Sequence, residues 1–144
     1  MVGIGKKDKQ LAGADARSCV FDYTVGNDVS ERSWQKADRG WGRAKNADTF
    51  KPMGPWIETD VDLDAMETII KVNGRETGRF HNNDMICGVV PFIDELTKYF
   101  TLSLGDAILM GTDAASPEIK AVEVADNHIS AIGTAPHKFV AEER

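Results

Sequence analysis

The chain has 144 residues and carries 17 Lys and Arg against 23 Asp and Glu, so its formal net charge at pH 7 is −6. At this length, a chain with 42% hydrophobic residues can bury a core of its own, which excludes a disordered protein and a small disulfide scaffold. The acidic balance argues against nucleic acid as a partner, because phosphate binding rests on a surplus of Lys and Arg. We expect a single domain over residues 1–144.

Apolar runs, cysteines and histidines together predict a cytoplasmic protein. The longest apolar runs, at 85–87 and 89–93, are far shorter than the roughly 20 residues of a membrane-spanning helix, so no membrane partner is expected. The N-terminus turns basic at Lys6, before the apolar region of a signal peptide can develop. Cys19 and Cys87 lack C-x-x-C spacing, and we expect both to be small buried side chains. The histidines lie far apart, which favours surface or loop positions over metal ligation: His81, His128 and His137.

The first part of the chain predicts a short helix, a strand and a basic loop. Residues 12–18 favour a helix, and residues 20–25 alternate as a strand that ends in a turn at 26–28. Asp28 is therefore predicted at the end of a strand. Residues 31–51 hold six basic side chains against three acidic ones, a local charge of +3, with two glycines in the middle. This segment is interpreted either as a solvated loop or as a mobile basic loop suited to a small anionic ligand.

The middle of the chain contains a turn and an acidic segment. Residues 54–57 predict a turn that leads into a short strand. The acidic run at 60–64 imitates the start of a calcium-binding loop, but Ala65 and Lys71 stand where that loop needs Gly and Glu. We therefore reject calcium binding there.

The second half predicts a hairpin, a helix and a buried strand. Asn73-Gly74 between β-rich segments is a strong hairpin signal, because both residues tolerate a positive φ. Residues 107–110 predict a strand that delivers Gly111 and Thr112 at its end. Apolar residues at the spacing of one helix face predict a helix, namely Val89, Ile93, Leu96 and Phe100. Short strands without a βαβ alternation favour a β-dominated α+β fold.

Polar side chains near the strand ends are the candidates for chemistry. They comprise Asp28, Arg32, Gln35, Lys45 and Thr112. Each also has an ordinary structural interpretation, as a turn-capping carboxylate, a surface charge or a turn hydroxyl. The pattern alone leaves both interpretations open.

The residues from position 23 onward resemble the fumarylacetoacetate hydrolase family. Tyr23 to Gln35 is similar to the family's Y-T-x-G-N-D-V-S-A-R-D-x-Q, and Arg43 to Phe50 to its R-x-K-x-x-D-T-F. The same order continues through Pro52 to Trp56, Val72-Asn73-Gly74, Asp84-Met85-Ile86 and Leu104 to Thr112. The resemblance runs from about Gly3 to Val140.

The resemblance implies a mixed β-sandwich roll, lacking its N-terminal part, and a homodimer. It also implies a metal-dependent hydrolase, decarboxylase or isomerase, in aromatic catabolism, that acts on small 2-oxo or β-diketo acids through an enolate stabilised by Mg²⁺ or Mn²⁺. By residue, Asp28 matches a metal ligand, and Lys45 and Thr112 match catalytic groups that also contact substrate. The other implied substrate contacts are Arg32, Gln35 and Gly111.

Departures from the family pattern lead to a second hypothesis. The family places a Glu-x-Glu pair of metal ligands just before the segment that Val2 begins, so we expect two of three carboxylates to be absent and the metal site to be weak. An active enzyme would need the missing ligands from elsewhere, such as Asp22 or another chain. Ser33 and Asp113 replace the usual Asp and Pro, and the strand at 120–124 is shortened. The alternative function is a catalytically impaired family member that serves as a scaffold or interaction module.

Overall fold

The computed structural model describes residues 1–141, which form two antiparallel sheets and a few short helices. The strands are β1 (Val2–Ile4), β2 (Val20–Tyr23), β3 (Glu67–Val72), β4 (Arg75–His81), β5 (Ala107–Ile108), β6 (Val124–Ile129) and β7 (Gly133–Lys138). The helices are α1 (Ala14–Ser18), α2 (Arg32–Gln35), α3 (Gly42–Asn46) and α4 (Val89–Thr97), with a 3₁₀ turn at Asn82–Asp84. The predicted β-dominated α+β class is confirmed.

The smaller sheet has the strand order β2-β1-β5. Strand β1 is antiparallel to both neighbours, with Val2 opposite Tyr23 on one side and Ile108 on the other. Strands β2 and β5 therefore run in the same direction and end at the same edge. Beyond that edge the two chain segments stay in contact, since a Cβ on Gly26 would lie 3.1 Å from Leu109 Cδ2.

The larger sheet has the order β4-β3-β6-β7 and contains the predicted hairpin. Asn73 and Gly74 form its turn with φ of 51° and 77°, the left-handed pair that a tight β3–β4 connection requires. The Asn73 side chain also accepts from Val124 N–H at 3.0 Å, which ties the turn to the start of β6. The hairpin prediction is confirmed.

Two groups of buried side chains hold the sheets. One lies between the smaller sheet and helices α1 and α4 and consists of Val2, Ile4, Leu11, Ala16, Cys19, Val89, Ile93, Leu102 and Ile108. The other covers the larger sheet and consists of Val25, Met66, Ile129, Ile132 and Ala135. Tyr23 and Leu63 pack against both groups and join them. None of the helices in residues 1–141 has the length and apolarity to cross a membrane.

Helix α4 begins as predicted at Val89 but ends at Thr97, before the predicted Phe100. Val89 and Ile93 are buried, whereas Phe100 lies outside the helix with 60% of its surface exposed. The chain leaves the helix because Leu102 must enter the core and pairs there with Asp8 through two backbone hydrogen bonds of 3.1 and 2.9 Å. The predicted inclusion of Phe100 in the packed face is therefore wrong.

Several other local predictions need correction. Residues 31–51 are not one continuous loop, because they contain α2 and α3. Cys19 is buried as expected, but Cys87 is exposed just before α4. The predicted strand at 120–124 is absent from the described structure, where β6 begins at Val124. The predicted short strand after residues 54–57 is reduced to a single bridge between Glu58 and Tyr23.

Candidate active site

The candidate site begins where the chain leaves β2 and pairs with a later segment. Backbone N–H groups of Asn27 and Val29 donate to the carbonyls of Pro52 and Phe50, each at 3.1 Å. A bridge between Gly26 and Met53 continues the same antiparallel register. In this register Asp28 lies directly opposite Lys51, so two residues far apart in sequence face each other.

Helix α3 brings a second lysine to Asp28. Lys45 Nζ donates to Asp28 Oδ2 at 2.7 Å. The start of the helix is fixed by Asp38, whose Oδ2 accepts from the backbone N–H of Arg43 at 2.8 Å and of Ala44 at 3.2 Å. Those hydrogen bonds to the backbone hold the pKa of Asp38 below its ordinary value. Ala44 of this helix is buried and anchors the helix against the rest of the domain. The next residue, Lys45, reaches Asp28 from this anchored helix.

Asp28, Lys45 and Lys51 form a compact charge cluster, which we call the Asp28 cluster. Lys51 Nζ donates to Oδ1 of Asp28 while Lys45 takes Oδ2, so both carboxylate oxygens are occupied. Partial burial raises the pKa of Asp28, but the hydrogen bonds and charges of the two lysines outweigh it, and the pKa lies below its ordinary value. With one negative and two positive charges, the cluster carries a net charge of +1.

Arg32 and Gln35 lie on α2, which packs against α3. Arg32 Nη1 donates to Gln35 Oε1 at 2.8 Å, so the two predicted residues are paired with each other. The same helix presents Trp34, which stacks on Phe50 with ring centroids 6.3 Å apart and carries the Arg43 guanidinium 5.2 Å from its own centroid. These stacked groups join α2, α3 and the segment that leads to Lys51.

Gly111 and Thr112 follow β5 and leave the smaller sheet at the edge from which Asp28 also emerges. Gly111 has a φ of 92°, which turns the chain, and Thr112 Oγ1 accepts from Ala114 N–H at 3.2 Å. The structure places Thr112 on a separate, exposed loop, and among the described residues no hydrogen bond joins it to the Asp28 cluster. It brings Asp28 and Lys45 into direct contact.

Lys51 was not among the residues that the sequence singled out. Its partner Asp28 is 23 residues away in the sequence, and no local sequence pattern predicts the contact.

The histidines also differ from expectation in part, because all three lie at strand positions, with His128 and His137 half-buried. The Nδ1 atom of His128 lies 2.9 Å from the Thr134 hydroxyl.

The described residues do not fit a site for Mg²⁺ or Mn²⁺. Both oxygens of Asp28 accept from ammonium groups, whereas a hard divalent ion needs several free oxygen ligands. Within residues 1–141, no three His, Cys, Asp or Glu side chains are grouped so that they could hold a metal ion. Asp22 packs over Gly3, where its carboxylate fills the space that a Cβ would take.

The β-dominated fold, with polar groups beyond the ends of β2 and β5, is shared with a class of proteins that includes enzymes named as isomerases and tautomerases. The family described as fumarylacetoacetate (FAA) hydrolase C-terminal matches residues 1–140, and the chain belongs to this family. Isomerases, hydrolases and oxaloacetate tautomerases are among its relatives, and family members generally use a divalent metal ion.

Individual relatives agree with this assignment. The protein Rv2993c of Mycobacterium tuberculosis is 36% identical over 140 residues, covering 95% of this chain and 53% of the relative. The mitochondrial oxaloacetate tautomerase fahd2 of Xenopus laevis is 40% identical over 114 residues, which cover 76% of this chain and 36% of that protein. The solved 2-hydroxyhepta-2,4-diene-1,7-dioate isomerase of Mycobacterium marinum superposes with a TM-score of 0.94 at 38% identity, covering 99% of this chain and 57% of that one. The chain thus spans about half the length of the relatives it matches.

Proposed function

We propose that this chain carries the anion-binding part of an enzyme that acts on small 2-oxo or β-diketo acids through an enolate. The reaction is a hydrolysis, decarboxylation or isomerisation. The observation that carries the proposal is the Asp28 cluster, in which Lys45 and Lys51 are held on one carboxylate and leave a net charge of +1. The relatives named for oxaloacetate and for 2-hydroxyhepta-2,4-diene-1,7-dioate act on acids of this chemical class.

Lys45 is the proposed catalytic cation. Its side chain is 23% exposed, and its ammonium retains hydrogen atoms that Asp28 does not use. A substrate carboxylate or enolate oxygen that approaches it replaces water in a partly desolvated place, where a charge-assisted hydrogen bond is strongest. Negative charge that develops as a C–H or C–C bond breaks is stabilised in the same way.

Arg32, Gln35, Gly111 and Thr112 complete the proposed substrate site. Arg32 brings a planar guanidinium that suits a second carboxylate, and its hydrogen bond to Gln35 keeps it oriented. Thr112 is assigned to the site because it lies on the loop after β5, a strand that ends at the same edge of the sheet as β2. Dependence on Mg²⁺ or Mn²⁺ stays a prediction for the whole protein, because such an ion needs carboxylates beyond Asp28.

The proposal is tested by anion binding to the purified chain, followed by backbone amide NMR shifts during titration with oxaloacetate in the presence of EDTA. Lys45→Met should weaken binding about tenfold, which is the order of magnitude of one lost ion pair at a partly exposed site. Lys71→Met, which removes the same charge from an exposed position on β3, is the matched control and should bind as the wild type does. Equal affinity of the Lys45 variant and the wild type would overturn the proposal.

A second candidate is the catalytically impaired family member that acts as a scaffold. It is favoured by one observation, namely that Asp28 has no free oxygen and no grouped acidic partners among the described residues. A chain of this kind would bind oxaloacetate but leave its rates of enolisation and decarboxylation at the uncatalysed level. Turnover that depends on Lys45 would exclude it.

We also propose a homodimer, as the resemblance implies. Sedimentation velocity at several concentrations tests this directly. A mass of one chain at every concentration would contradict it.

A further inference from the structure

We propose that the Lys51 ammonium is the resident cation of Asp28 in this chain and that it competes with divalent metal ions for this carboxylate. The inference rests on the proposed function only for the location of the site. Its test uses a metal ion alone and needs no substrate.

The first argument is that the backbone, rather than a chance side-chain orientation, places Lys51 against Asp28. The hydrogen bonds from Asn27 N–H to Pro52 O and from Val29 N–H to Phe50 O lie on either side of the pair. Directly opposed residues of an antiparallel pair have Cβ atoms about 4.5–5.5 Å apart, which is well within reach of a lysine. Pro52 further holds residue 51 in an extended conformation.

The second argument concerns the donor atoms. A metal ion that binds Asp28 must use Oδ1 or Oδ2, and these oxygens accept from Lys51 and Lys45, respectively. An incoming dication must therefore either displace one ammonium and stay close to the other, or bind a remaining lone pair beside both positive charges. Each ammonium left within about 5 Å lowers the affinity for a dication by about tenfold even at a water-like dielectric.

The third argument identifies Lys51, rather than Lys45, as the group that exchanges. The Lys51 side chain is 35% exposed, whereas that of Lys45 is 23% exposed. Lys45 also belongs to α3, whose start is fixed by Asp38. The residue before it in this helix, Ala44, is buried. Lys51 can therefore turn toward solvent with the smaller loss of packing.

The consequence is a site with two alternative cations. With Lys51 in place, the cluster offers two ammonium groups to an anion. With Lys51 displaced, Asp28 offers one oxygen to a metal ion, which is a single ligand and too few for a tight site. Residue 51 thus determines how readily Asp28 accepts a divalent ion.

The test is a Mn²⁺ titration of the full chain at constant low ionic strength, with the free ion followed by EPR. Lys51→Met keeps most of the side-chain length without the charge and should bind Mn²⁺ about tenfold more tightly than the wild type. Lys51→Arg keeps the charge and should bind as the wild type does. Lys71→Met is the control for the loss of one positive charge elsewhere.

A double variant shows whether the gain passes through Asp28. Lys51→Met combined with Asp28→Asn should lose the added affinity. Thermal unfolding of each variant, followed by circular dichroism, identifies any that fails to fold, and Lys51→Gln then replaces Lys51→Met. Mn²⁺ affinity that is unchanged or undetectable in a folded Lys51→Met or Lys51→Gln chain would overturn the inference, and so would a gain that survives Asp28→Asn.

Failure of this inference and failure of the proposed function are distinguishable. The oxaloacetate titration in EDTA reports on Lys45 whatever the metal measurement gives. If Lys45→Met weakens oxaloacetate binding while Lys51→Met leaves Mn²⁺ affinity unchanged, only the competition is wrong. If Lys45→Met leaves oxaloacetate binding unchanged while Lys51→Met strengthens Mn²⁺ binding, the proposed substrate is wrong and the competition between Lys51 and the metal ion stands.

Discussion

Thr24 provides a sharp test of how the site's framework is held. It is 4% exposed, and its hydroxyl donates to the carbonyl of Trp56 at 2.7 Å. The Trp56 indole in turn donates to the carbonyl of Ile132 and packs over Gly133. Thr24 therefore fastens the segment after Lys51 to the end of β2, next to the register that sets Lys51 opposite Asp28.

The matched substitutions are Thr24→Val and Thr24→Ser. Valine has nearly the same shape but leaves the Trp56 carbonyl without its donor, which costs about 1–3 kcal/mol in the free energy of unfolding. Serine keeps the hydroxyl and loses one methyl group, worth about 1 kcal/mol or less. Urea unfolding of the three proteins measures both effects.

The hydrogen bond predicts a definite order of stability. The wild type should be the most stable, followed by the serine variant and then the valine variant. Oxaloacetate affinity should fall in the valine variant, because the segment that carries Lys51 loses an anchor. A valine variant as stable as the wild type would show that the contact contributes nothing and that other pairing holds this segment.

Two further predictions concern the core and the larger sheet. Ile93 is fully buried, so Ile93→Ala should lower the free energy of unfolding by about 2–5 kcal/mol and Ile93→Val by about 0.5–1.5, as measured by urea unfolding; equal losses would contradict this packing. Burial lowers the pKa of His137, and the charge of Asp126 only partly opposes this. Because the unfolded chain then binds the proton more readily, stability is fully present above the ordinary histidine pKa of 6.5 and is lost as the pH falls through the lower folded value. His137→Gln should flatten this dependence between about pH 5 and 7.5, and unchanged slopes would refute it.

Elements with strong local signals were predictable from the sequence. Asn73-Gly74 specifies a tight hairpin through its φ preferences alone, and the structure has that turn. The start of α4 follows from the spacing of Val89 and Ile93, which both reach the core. In these places the local preference and the tertiary packing agree, so the local preference is sufficient.

Where tertiary contacts decide, the sequence pattern was misleading. Phe100 continues the helical spacing, but the chain leaves the helix to pair Leu102 with Asp8. Cys87 is exposed because it precedes α4 on a surface segment, although free cysteines are generally buried. Neither outcome depends on the residue's immediate neighbours, which is why neither was visible in the pattern.

The candidate site was predictable only in part. Asp28 and Lys45 were identified through the resemblance, and their direct contact supports grouping them. Lys51 was missed because its position depends on how residues 26–29 pair with residues 50–53, and a register of that kind is fixed by the folded chain rather than by composition. The stack of Trp34 on Phe50 was missed for the same reason.

The proposed anion site lies in the basic stretch at 31–51, although the chain as a whole is acidic. Of the acidic side chains in this stretch, Glu31 accepts from the Ser33 N–H at the start of α2, and Asp38 caps the start of α3. These carboxylates are thus used by the backbone of two short helices, whereas Lys45 and Lys51 are directed to Asp28. Since Asp28 neutralises only one of the two ammonium charges, the folded chain concentrates positive charge at one sheet edge despite a net charge of −6. This division of charges between helix caps and the cluster, rather than the overall composition, is the reason for proposing that edge as the site for a small carboxylate.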